Sequence, residues 1–191
     1  MLIHVHQEEA VANLLKVVAN YLRQLLIQSN LLCWLKMLAH NVSVIIQKQI
    51  FRKLKNILVL CTGNSCRSQL AEGYLRFYAD GKANIYSAGI ETHGVNPKAV
   101  QVMAEDHIDI SSHTSNHVDE YLSIPFDAVI TVCDNANEAC PYFPGNVVRF
   151  HQNFPDPAKA TGSVEEVLDE FRRVRDLIKV YAADFVSKNI A

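Results

Sequence analysis

An α/β domain built on a parallel sheet, carried behind a helical N-terminal extension, is the fold class that this 191-residue sequence predicts. From Asn56 onward, short apolar runs rich in β-branched residues alternate with helical patterns, the signature of a doubly wound parallel sheet covered by helices. No Gly or Pro occurs before Gly63, so the first part of the chain contains no helix breaker. Charge changes sign near the same place. Residues 1–55 carry seven Lys and Arg against two Glu, and residues 56–191 carry eleven against eighteen Asp and Glu, which makes the parts about +5 and −7. The chain is therefore divided into a helical extension, residues 1–54, and an α/β domain, residues 55–191.

Residues 8 to about 52 read as helix, with Val11, Leu14, Leu15, Val18, Leu22, Leu25 and Leu26 forming one apolar stripe. Gln28–Asn30 is a break, and a second helix runs through Leu31, Leu35, Leu38, Val42 and Ile45. Residues 24–35 are uncharged, but Gln24, Gln28, Ser29 and Asn30 interrupt them. Lys36 then ends the run well short of the about 20 apolar residues a span requires, so no stable membrane insertion is expected.

In the domain, NILVLC (from Asn56) reads as a buried strand and Ser68–Ala79 as an amphipathic helix that Ser68 could cap. NIYSAG is a second strand, and the helix NPKAVQVMAEDHI has Pro97 in its first turn. FDAVITVC is a third strand, nearly continuous in apolar residues, as in a sheet covered on both faces. NVVRFH is a short fourth strand, and a long helix runs from Val164 to about Val186.

A net charge of −2 argues against bulk attraction to nucleic acid. The five cysteines, Cys33, Cys61, Cys66, Cys133 and Cys140, come without a basic, cleavable leader. An odd count in that setting points to a reducing cytoplasm, where cysteines serve chemistry more often than stapling.

The chemistry concentrates at CTGNSCRS, Cys61 to Ser68. Binding sites of open α/β sheets lie at the carboxyl ends of strands, where Cys61 ends the first strand. Gly63 permits close backbone approach, and Asn64 tolerates the left-handed region. The amides of Thr62, Gly63, Asn64, Ser65 and Cys66 can then form an anion-binding nest backed by a helix N-terminus. Arg67 adds a fork for two oxygens of a tetrahedral oxyanion. That field, with the Ser68 hydroxyl, favours the thiolate of Cys61, which is placed to attack the central atom of the bound anion. A zinc site of Cys61, Cys66, Cys133 and Cys140 is disfavoured, because the two pairs do not both show the usual spacing and Arg67 would adjoin the cation.

This motif resembles the phosphate-binding loop of the low-molecular-weight tyrosine phosphatase fold, and within that fold the chain resembles the thioredoxin-coupled arsenate reductases. The likeness runs from about Lys55 to the C-terminus, through YSAGIETHGVNPKAV, ISSHTS, VCDNANEACPYFPG and FPDPAKATG. It implies a four-stranded parallel sheet flanked by helices. It also implies arsenate as substrate with phosphate as a competing oxyanion, thioredoxin as reductant in preference to glutathione and glutaredoxin, and no metal or organic cofactor.

Asp156 in FPDPAKATG takes the place of the fold's general acid, which protonates a leaving oxygen, although Asp-Pro also starts turns. Phosphatases of the fold usually follow that Asp-Pro with Tyr, and here Ala158 follows, which weakens a tyrosine phosphatase reading. The family's redox pair falls on Cys133 and Cys140. Cys133 ends the third strand, on the same sheet edge as Cys61, and Cys140 lies in a polar, mobile segment. Cys66 is expected to pack or tune the loop, Cys33 has no assigned part, and His113 reads as structural. The opening helices faintly resemble those of arsenic-responsive winged-helix repressors. No recognition helix, wing or paired metal-binding cysteines precede Lys55, however, so a dispensable appendage or a misassigned start is preferred to a regulator remnant.

Overall fold

The computed structural model describes residues 13–23, 42 and 54–190. The chain divides into two compact units, Met1–Lys53 and Leu54–Ala191. Within the first, residues 13–23 and residue 42 are helical, in keeping with the apolar stripe. The break at Gln28–Asn30, most of the second helix and Cys33 lie outside the described residues. Among the described residues no helix is long and apolar enough to cross a membrane.

The second unit is an α/β layer structure. Strands β1 (Lys55–Cys61), β2 (Ala83–Gly89), β3 (Ala128–Thr131) and β4 (Val148–His151) form one sheet in the order β2-β1-β3-β4, every pair parallel. The helices are α1 (Arg67–Ala79), α2 (Pro97–Glu105), α3 (Asp134–Glu138) and α4 (Val164–Asn189). A central parallel strand is covered on both faces, which is why Ile57, Leu58, Val59, Leu60 and Cys61 are all buried with no alternation. In β3, Ala128 to Thr131 are buried in the same way.

Local chemistry sets the helix ends. Asn96 caps α2 by accepting from the Lys98 amide, ahead of Pro97. Ser163 and Glu166 form a reciprocal capping box at the start of α4. The helix α4 runs three residues past the expected end at Val186, packs against α1 and α2, and buries Leu168, Phe171, Val174, Ile178, Ala182 and Phe185.

Two sequence expectations need correcting. Ser68 is not a helix cap: α1 begins at Arg67, Cys66 holds the cap position without a side-chain bond, and Ser68 lies inside the first turn facing Cys61. Cys133 does not end β3. The strand stops at Thr131, and the Val132 amide makes one further bond to the Leu60 carbonyl. Cys133 then becomes the cap residue of α3, a single short helix within the segment expected to be mobile.

The strand order places the site. The chain leaves β1 for β2 on one side and returns to β3 on the other, so the connections after β1 and β3 part at their carboxyl ends. A crevice at such a reversal is where open α/β sheets bind ligands. Cys61 and Cys133 both stand there.

Candidate active site

The loop from Cys61 to Cys66 is held by its carbonyls. The Cys61 carbonyl accepts from the Ile90 amide, Thr62 from Glu91, Gly63 from His93 and Ser65 from Asn96, at 2.8–3.2 Å. The Asn64 carbonyl accepts from the Gln69 side chain at 3.0 Å, and Cys66 from the Leu70 amide at 2.9 Å. In a planar trans peptide the following N–H points opposite to the carbonyl. With six successive carbonyls tied outward, the amides from Thr62 to Arg67 turn to the inner side, the backbone arrangement of a nest.

The backbone path needs particular residues. Asn64 adopts φ 43°, the left-handed conformation that its type tolerates. Gly63 has no such φ; its role is close approach, because a Cβ there would run into the His93 imidazole. Gly89, at the end of β2, is required more strictly. A Cβ would strike the backbone of Thr62, Asn64 and Glu91, so this glycine lets the loop close over the sheet edge.

The Cys61 sulfur receives the Asn64 amide at 3.1 Å and lies 2.9 Å from the Ser68 hydroxyl. A chain of bonds leads from Glu72 to that hydroxyl. The Glu72 carboxylate can only accept, so Ser87 donates to it at 2.6 Å. The Asn64 side-chain amide donates to Ser87 at 2.8 Å and to Ser68 at 3.0 Å, while its carbonyl oxygen accepts from the Asn116 amide at 2.8 Å. Ser68, having accepted from Asn64, keeps its hydroxyl proton free to turn to the sulfur. Asn64, Ser68 and Ser87 are all buried, so the network is shielded from competing water.

Cys66 is different. Burial pushes its thiol up to about 11; the Ser65 hydroxyl opposes this, the Asp156 and Cys61 charges add to it, and Arg67 opposes it. It therefore stays a neutral thiol at physiological pH, a packing residue and not a second nucleophile.

Arg67 reaches across the mouth of the loop. One guanidinium nitrogen donates to the Phe154 carbonyl at 3.2 Å and the other to Asp156 at 2.9 Å. Asp156 takes the expected turn position: one oxygen meets Arg67, and the other caps the turn Pro157–Lys159 by accepting from the Ala158 amide.

The remaining thiols occupy different places. Cys133, 3% exposed, has its sulfur 3.4 Å from the Thr62 hydroxyl, at the lip of the loop. The Asn135 side chain donates to the same hydroxyl at 3.2 Å. Cys140 is half-buried beyond the other end of α3, and burial raises its thiol against a smaller lowering by Arg149. The structure thus brings Cys61, Arg67, Ser68, Asp156 and Cys133 together and leaves Cys140 apart. The five helical residues of α3 stand between Cys133 and Cys140, and a disulfide needs Cα atoms within about 7 Å. Cys61, Cys66, Cys133 and Cys140 are free thiols. Among the described residues, no group of three or more His, Cys, Asp or Glu is placed to hold a metal ion.

Sequence reasoning missed the supports. Gln69 is fully buried, donates to the Asn64 and Thr114 carbonyls, and meets His113 at 2.9 Å. Burial holds the His113 imidazole below its ordinary value, against an opposing pull from Glu72 3.8 Å away. The available signal was two polar residues, Gln69 and Glu72, on the inward face of α1, where periodicity calls for apolar ones.

The family model for low molecular weight phosphotyrosine protein phosphatases matches residues 56–190. A protein of Halalkalibacterium halodurans named arsenate reductase is 53% identical over 124 residues, covering 65% of this chain and 89% of that protein. One of Staphylococcus xylosus with the same name is 49% identical over 131 residues, covering 69% and 95%. Among solved structures, an arsenate reductase in the oxidized state superposes with a TM-score of 0.61 at 29% identity, covering 71% of this chain and 98% of its own. One in the phosphate binding state gives 0.59 at 30%, covering 72% and 100%. Sheet order, loop and sequence lead to one grouping: the chain belongs to the low-molecular-weight phosphotyrosine protein phosphatase family, on the side that holds the arsenate reductases.

Proposed function

We propose that this protein reduces arsenate to arsenite, passing two electrons from thiols to arsenic through Cys61, Cys133 and Cys140. The observation that carries the reading is the Cys133 sulfur at the lip of the loop, 3.4 Å from Thr62. Phosphoester hydrolysis in this fold needs one thiol, whereas a thiol–arsenic adduct needs a second thiol to break it.

Arsenate binds the amides of the loop and competes with Asp156 for the Arg67 guanidinium, which frees that carboxyl beside the departing oxygen. The Cys61 thiolate attacks arsenic; the arsenic–oxygen bond breaks, and Asp156, which takes up a proton from solvent once Arg67 releases it, passes that proton to the leaving oxygen. Cys133 then attacks the Cys61 sulfur. The sulfur–arsenic bond breaks, its electron pair stays on arsenic, and arsenite leaves as the Cys61–Cys133 disulfide forms. Cys140 attacks Cys133 and releases Cys61 as thiolate, an exchange with no net redox change. The Cys133–Cys140 disulfide, formed as α3 unwinds, is reduced by an external dithiol protein of the thioredoxin kind. Residues 1–54 supply none of these groups.

The test is arsenate-dependent NADPH oxidation, run with thioredoxin and thioredoxin reductase and separately with glutathione and glutaredoxin. Turnover in the first system supports the reading. Hydrolysis of aryl phosphates without NADPH oxidation in either system would establish the phosphatase reading, which the near-identical shapes of phosphate and arsenate allow.

A further inference from the structure

The short helix α3 is too small to hold itself in place, since isolated helices of one turn do not persist in water. Its position depends on tethers, and its shortest side-chain bonds, against 3.2 Å from Asn135 and 3.3 Å from Asn137, converge on Asp134, the residue after Cys133. One carboxylate oxygen meets His151 Nε2 at 3.1 Å, and the other accepts from the Asn153 side chain at 2.6 Å. His151 ends β4, and its Nδ1 lies 2.8 Å from the Thr131 hydroxyl at the end of β3. Because Asp134 only accepts, Nε2 carries the proton, and the imidazole braces the first turn of α3 against two strand ends. None of these three side chains hydrogen-bonds to the Cys61–Cys66 loop.

We propose that His151 and Asn153, acting through Asp134, form a latch that holds Cys133 at the lip of the Cys61 loop, so that its release sets how fast the disulfide passes to Cys140; the second clause rests on the relay reading above. The latched position suits the attack of Cys133 on Cys61. It opposes the next exchange, in which Cys140 must reach the Cys133 sulfur and α3 must unwind. His151, Asn153 and Asp134 are positioning residues: they move no proton or electron to arsenic. Asp134 and His151 are open enough to solvent for their bond to break readily, as a latch that opens in each cycle requires.

The primary measurement is alkylation of Cys133 by iodoacetamide in the reduced protein, read by peptide mass. Asp134→Ala and His151→Ala should each speed it by about three- to ten-fold. His151→Gln, whose amide can place a donor near the site of Nε2, should stay close to the wild-type rate. Protection of Cys61 from the same reagent by inorganic phosphate should be unchanged in all three. In a single arsenate turnover without reductant, Asp134→Ala should form the Cys133–Cys140 disulfide faster than wild type does.

A wild-type Cys133 alkylation rate in Asp134→Ala would overturn the latch, as would His151→Gln behaving like His151→Ala, or lost phosphate protection. If Asp134→Ala does not fold, Asn153→Ala decides by the same readout. Should wild type yield no arsenite, the relay reading fails, while the alkylation rates still decide whether the latch exists.

Discussion

At the scale of single residues, the chemistry turns on which thiol attacks. The Asn64 amide donates to the Cys61 sulfur and the Ser68 hydroxyl lies 2.9 Å from it, whereas burial raises the Cys66 thiol to about 11. Cys61→Ser should therefore abolish arsenate reduction and any phosphatase side activity together, and appreciable remaining turnover would show the nucleophile to be misassigned. Cys66→Ala should retain turnover within about two-fold, and wild-type Cys66 should stay unalkylated from pH 7 to 9 in peptide mapping, because the thiol is neutral well below about 11. Asp156→Asn should slow the first chemical step by roughly 10²–10⁴-fold in single-turnover arsenite release while phosphate binding stays nearly intact. Equal losses in rate and binding would assign Asp156 to the Pro157–Lys159 turn alone.

At the scale of elements, α2 and α4 are joined by charge. Arg172 holds the Glu105 carboxylate below its ordinary value, and Lys179, with the Tyr74 hydroxyl, does the same for Asp106. Depressed carboxylates contribute stability that is present above their unfolded values, near 4.5 and 3.8, and is lost as pH falls through the lower folded ones. Thermal melts should therefore show Arg172→Ala destabilised at pH 7 and converging on wild type as the pH falls from 4.5 through the depressed value of Glu105; a constant gap would assign the loss to packing. The elements themselves were legible in the sequence. Strands β1 and β3 stood out because a parallel core strand is apolar on both faces, and α2 because Asn96 and Pro97 mark its start. The end of β3 was not legible: an apolar run such as AVITVC cannot show where ladder bonds stop and a cap begins, so α3 and the cap position of Cys133 went unseen. The loop motif, with its Gly and Asn between strand and helix, stood out in the sequence. Its support did not, because the path from Glu72 through Ser87 and Asn64 to Ser68 joins residues from separate elements and no local pattern encodes it.

At the scale of the molecule, the charge division along the chain coincides with the boundary between the two compact units. Every group assigned to the chemistry lies in Leu54–Ala191, so deleting residues 1–53 should leave a folded, active domain; an insoluble or inactive product would show that the domain depends on the extension. The central claim is that one fold links an oxyanion site to a disulfide carried outward in two moves, and Cys140 is needed only for the second. The most direct measurement is arsenite formed by Cys140→Ser with thioredoxin, thioredoxin reductase and NADPH, followed by peptide mass of the trapped enzyme. The account predicts about one arsenite per enzyme and a stalled Cys61–Cys133 disulfide, because that bond stays buried at the sheet edge. Sustained thioredoxin-linked turnover by Cys140→Ser would contradict it.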